Sequence, residues 1–106
     1  MHLAGEEDLI APTAGHAGPI ARCWGGPVQL RIVRKATHLG FAEGRHWSEL
    51  LLDGKPQHRT QRTVKALLTA FLLARLTGTK DYDALLESDV KGAPIEYQHD
   101  RHAAAA

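Results

Sequence analysis

A single cysteine, Cys23, is all the chain contains, so no disulfide can close within it and cysteine usage gives no clue to compartment. Charge of neither sign dominates. The formal net charge is +1 with histidine neutral, which gives no reason to expect nucleic acid or an anionic membrane as a partner. Long hydrophobic runs are also missing: the longest apolar stretch is broken by Thr69 and Arg75 and is too short to span a bilayer. The N-terminus, Met1-His2-Leu3-Ala4-Gly5-Glu6-Glu7-Asp8, lacks the basic flank and apolar core of a signal peptide, which leaves localisation open with the cytoplasm favoured. No internal repeat occurs. Serine is scarce, with only Ser48 and Ser88, and neither stands in Gly-x-Ser-x-Gly. At 106 residues there is room for one domain and not for two.

What is present is organised around residues 28–43. Val28, Leu30 and Ile32 alternate with Gln29, Arg31 and Val33, the period-two pattern of a strand with one apolar face. Arg31, Arg34 and Lys35 suit an edge strand, where charge discourages pairing with foreign chains. The strand runs out into a loop that carries His38. Upstream, residues 1–5 read as the second half of another strand, and Gly5-Glu6-Glu7-Asp8 as the loop at its C-terminal end. Between the strands, Pro19 allows either a short helix over 19–24 or a longer one kinked there, and Gly25-Gly26-Pro27 ends it. A helical crossover of that length implies parallel strands, with Asp8 and His38 at neighbouring C-terminal ends, where open α/β sheets collect functional residues.

Residues 40–56 read as a loop with a helical turn over 47–52 and a turn at Asp53-Gly54. The strongest helix starts at Thr60 or Thr63 and runs to about residue 76, with Val64, Leu67, Leu68, Phe71 and Leu72 on its apolar face and Gly78 as its stop. A second short helix over 81–87 turns Tyr82, Leu85 and Leu86 inward. Residues 88–106 read as an extended or disordered tail.

Strand, acid, crossover helix, edge strand, histidine and long helix follow the order of the C-terminal portion of an α/β-hydrolase. Ala4-Gly5-Glu6-Glu7-Asp8-Leu9-Ile10-Ala11-Pro12 resembles the G-x-x-D-x-x-x-P loop that presents the triad acid in that family. Ala36-Thr37-His38-Leu39-Gly40-Phe41 resembles the G-A-x-H-x-x-F turn that presents the triad histidine, with Lys35 where glycine is common. The pattern over 63–86 resembles the final helix of esterases of the dienelactone hydrolase, cutinase-like and platelet-activating-factor acetylhydrolase type. The resemblance covers residues 1–87 and about the last third of a family member. It implies a partial α/β-hydrolase fold: two parallel strands, the second at the edge, with a crossover helix and a long C-terminal helix. It implies an ester-type small-molecule substrate and no cofactor, with Asp8 fixing the tautomer of His38 and His38 serving a serine. The family order is serine, acid, histidine, and only seven residues precede Asp8, so the chain carries acid and base without a nucleophile and is expected to be inactive alone.

Plainer readings stand beside these. Glu6 and Glu7 read as solvated turn, His16 as solvated helix surface and Cys23 as a packed thiol. His2, His46, His58, His99 and His102 show no metal-ligand spacing, so no metal is expected. The basic stretch Lys55, His58, Arg59, Arg62, Lys65 lacks interleaved aromatics and reads as a solvated helix entrance. A rival class is a small standalone α/β interaction module without catalysis, dimeric in one version. Two strands leave an edge open and the long helix half covered, so the isolated chain is expected to be marginal, and either to self-associate through the exposed strand edge and apolar helix face or to be only partly ordered.

Overall fold

The structure, a computed structural model, describes residues 1–41 and 57–99. In chain order these form strand β1 (His2–Gly5), helix α1 (Ala17–Cys23), strand β2 (Val28–Val33), a 3-10 turn (Leu39–Phe41), helix α2 (His58–Thr77), short helix α3 (Asp83–Glu87) and strand β3 (Ile95–His99). β1 pairs with β2 in parallel, from His2 opposite Leu30 to Gly5 opposite Val33. β3 pairs with the other side of β2, antiparallel. The result is a mixed three-stranded sheet of order β1-β2-β3 with helices, broadly α/β.

β2 is thus the central strand and not the edge strand that its charges suggest. Arg31 explains the misreading: it is fully buried. Its Nη1 donates to the Ala93 carbonyl at 2.9 Å, Nη2 to the carbonyls of Leu86 at 2.9 Å and Leu85 at 3.4 Å, and Nε to Gln29 Oε1 at 2.8 Å. A planar guanidinium with several aligned acceptors tolerates burial that a lone charge would not. Burial lowers its pKa while the Asp89 carboxylate raises it. Arg34 and Lys35 lie in the turn after β2, outside the ladder.

Alternation along β2 serves two cores. Leu30 packs with Ala17 and Ala21 of α1, joined by Ala4, Val28, Ile32 and Tyr97. Val33 packs on the opposite side with Ala36, Leu67 of α2 and Ala93, joined by Leu3, Phe41 and Val64. Pro19 falls in the first turn of α1, where no intrahelical N–H is required of it, so the helix starts two residues before the proline and needs no kink. Cys23, expected to be packed, is exposed at the end of α1.

α2 begins at His58 with Gln57 at its N-cap, ahead of the expected threonines, and ends at Gly78, whose φ of 71° is the left-handed cap glycine favours. Thr60, Leu67 and Ala70 are its buried residues. Leu68, Leu72 and Leu76, of which the first two were expected to face inward, are exposed, because a small sheet covers only one stripe of the helix. Tyr82 and Leu85 are likewise exposed, since α3 offers Arg31 its terminal carbonyls. The expected turns over 47–52 and at Asp53-Gly54, with His46, Ser48 and His102, lie outside the described residues. No helix is long and apolar enough to cross a membrane among the described residues.

Candidate functional site

The register of β1 with β2 continues past both strand ends. Glu6 N–H donates to the Val33 carbonyl at 3.0 Å and Glu7 N–H to the Ala36 carbonyl at 2.9 Å. Gly5 makes this approach feasible: a Cβ built on it would lie 2.5 Å from the Ala36 carbonyl oxygen. Two side chains tie the loops further. The Glu6 carboxylate accepts the Lys35 N–H at 2.8 Å and Arg34 Nη1 at 3.2 Å. These partners, the Lys35 N–H first, hold its pKa below the usual value against a desolvation cost. Gln57 Oε1 accepts the Thr37 N–H at 3.0 Å, and its Nε2 donates to the Lys35 carbonyl at 2.6 Å. Thr37 Oγ1 accepts the Gly40 N–H at 3.1 Å, starting the 3-10 turn beside His38.

This scaffold brings Asp8 and His38 together. Asp8 Oδ1 accepts the N–H groups of Ile10 at 3.0 Å and Ala11 at 2.7 Å, an Asx turn that fixes the carboxylate plane. Its other oxygen, Oδ2, lies 3.0 Å from His38 Nδ1. Burial opposes the charge on Asp8, but the Ala11 N–H, His38 and the Ile10 N–H together outweigh it and lower its pKa. An ionised carboxylate can only accept, so His38 Nδ1 carries the proton and donates it, leaving the Nε2 lone pair free in the neutral ring. The Asp8 side chain is 11 % exposed and that of His38 41 %, so the acid is sheltered and the ring reachable. Among the described residues Nε2 has no hydrogen-bond partner.

The other sequence candidates fall away from this pair. Ser88 Oγ donates to the Leu85 carbonyl at 3.3 Å. Cys23 precedes β2 and so lies toward the opposite end of that strand from His38. His16 is exposed at the start of α1. Among the described residues no hydroxyl or thiol is hydrogen-bonded to His38, and no three His, Cys, Asp or Glu side chains converge as metal ligands would.

Comparison with protein-family models, with curated proteins and with solved structures gives no match. The positioning residues that sequence reasoning misses are Gly5, Glu6 and Gln57. Gly5 stands in the acid-loop pattern and could have been flagged as a close-approach position. Gln57 carries no local signal, because its partners lie 20 and 22 positions away.

Proposed function

We propose that the chain carries the acid and the base of a serine-hydrolase triad on part of an α/β-hydrolase fold, and that the reaction served is hydrolysis of a carboxylic ester. The observation that supports this is the 3.0 Å contact of His38 Nδ1 with Asp8 Oδ2, placed where β1 and β2 give way to their C-terminal loops. In this reading His38 Nε2 takes the proton of a serine hydroxyl as the oxygen attacks the ester carbonyl, then returns it to the departing alkoxide. Water repeats the cycle on the acyl-enzyme. Asp8 holds the tautomer and stabilises the imidazolium without taking the proton. The serine is neither Ser48 nor Ser88, so residues 1–106 alone turn over no ester through an acyl-serine.

Two measurements test this. The in-frame coding sequence before Met1 is read for Gly-x-Ser-x-Gly, and the polypeptide it encodes is treated with a serine-directed phosphonate. Labelling of that serine, with turnover reduced on the order of 10⁴-fold in Asp8→Asn, supports the proposal. Stoichiometric labelling of Ser48 or Ser88 in the 106-residue chain, with turnover abolished in His38→Ala, overturns it. The rival is an interaction module without catalysis, favoured by the exposed Leu68, Leu72 and Leu76. An independent reading frame starting at Met1 together with no labelled serine selects that rival.

A further inference from the structure

A cavity of about 610 Å³ is lined by neither Asp8 nor His38. That volume is ordinary for a small-molecule site and larger than a bare oxyanion needs. Four cationic residues line it, Arg34, Lys35, Arg59 and Lys91, against one acidic residue, Glu6. Glu6 is already engaged by Arg34 at 3.2 Å. The Lys35 charge also acts on Glu6, without an ion-pair contact, and Arg59 and Lys91 have no ion-pair partner among the described residues. The cations come from three places in the sequence, the turn after β2, the first turn of α2 and the loop before β3, so the fold gathers them.

Lys35 gives a second, independent indication. Its φ is 57°, the left-handed region that glycine enters freely and a lysine enters at a cost. Strain of this kind at a residue that lines a cavity points to a use for that residue. The hydroxyl-bearing Thr60 and Thr63 also line the space, and the Gln57 side chain is turned toward Thr37 and Lys35 instead of capping α2.

We propose that this cavity binds the phosphate ester of a small molecule of about mononucleotide size. Four cations against the one carboxylate of Glu6 leave an excess of positive charge that a single ligand carboxylate would not neutralise. A phosphate monoester brings up to about two charges and three acceptor oxygens that several donors can share. Val33 and Gly92 supply wall for the organic part. The assignment goes beyond the acid–base pair and does not depend on it.

The test is a calorimetric titration of the full chain with adenosine 5′-monophosphate, inorganic phosphate, citrate and a single-stranded oligonucleotide, at low and physiological salt. Amide spectra of each variant report on its fold. Saturable one-to-one binding of the nucleotide, tighter than phosphate or citrate, is expected. Arg59→Gln and Lys91→Gln should each weaken it by about tenfold or more. Lys35→Gly should weaken it similarly with no fall in thermal midpoint, because the substitution relieves the backbone. Lys80→Gln, outside the cavity, and Asp8→Asn should leave it unchanged. Four results overturn the proposal: no saturation, equal affinity for citrate, preference for the oligonucleotide, or equal weakening by Lys80→Gln.

Discussion

Asp8 makes two kinds of hydrogen bond through two different oxygens, and substitution can separate them. Asparagine keeps an oxygen for the Ile10 and Ala11 N–H groups but turns an N–H₂ toward His38. His38 Nδ1 must then accept, so the ring proton moves to Nε2. Imidazole ¹⁵N spectra should therefore show the Nδ1–H tautomer in the wild type and Nε2–H in Asp8→Asn; the same tautomer in both would refute the assignment. Asp8→Ala loses the turn as well and should cost about 1–3 kcal/mol in urea unfolding, more than the asparagine variant. The sign with pH is fixed by the lowered pKa of Asp8. A carboxyl that is more acidic folded than unfolded stabilises the fold in full above its unfolded value. That contribution is lost as pH falls through the folded one. The stability gap between wild type and Asp8→Ala should accordingly be steady above about pH 5 and narrow in acid. Gly5 acts on the same pair from behind. Gly5→Ala sets a methyl against the Ala36 carbonyl, backbone that cannot swing aside, so the acid and histidine loops must part. It should cost about 1–3 kcal/mol and weaken the Nδ1–H signature without touching either functional side chain.

At the scale of elements, local pattern and long-range pairing divide what can be read from sequence. The strand at Val28–Val33, the long helix and its glycine stop declare themselves through period two, period 3.6 and a left-handed cap, each within a few residues. The order of strands does not. β3 joins β2 through partners from Val28 opposite His99 to Arg31 opposite Ile95, and no local signal announces that. Without β3, Arg31 reads as edge charge; with it, Arg31 becomes a buried pin between β2, α3 and the segment before β3. The Asp8–His38 pair was legible because both residues sit in short loop patterns. Its support was not, because Gln57 reaches back to it from the N-cap of α2. Removing the pin tests the element packing. Arg31→Ala strands the carbonyls of Ala93 and Leu86 and opens a void, so a loss of about 3 kcal/mol or more is expected from denaturant midpoints. Arg31→Lys should recover little, since one ammonium cannot reproduce the fork. A change within about 0.5 kcal/mol, the range of surface substitutions, would show that the guanidinium is not the pin.

At the scale of the whole molecule, the described residues leave one border of the sheet open at β1. Among the described residues β1 pairs on one side only, and its His-Leu-Ala-Gly sequence holds no lysine or proline to discourage a further strand. Met1 packs against the core that holds Leu67, and burial followed by the nearby charge of Arg75 lowers the pKa of its amino group. Arg75 stands on the flank of α2 that also carries Leu68 and Leu72, as helical spacing requires. Strand edge and leucines are thus two surfaces through which we propose that a second copy of the chain pairs about a two-fold axis. Sedimentation velocity should show a concentration-dependent dimer at micromolar chain. Leu68→Gln with Leu72→Gln should shift it toward monomer without lowering the unfolding midpoint of that monomer by more than about 1 kcal/mol, because both positions are exposed. A wild-type chain that stays monomeric across that range and melts in one sharp transition would refute the pairing. It would also mean that the strands and helices of the described residues leave no apolar border needing a partner.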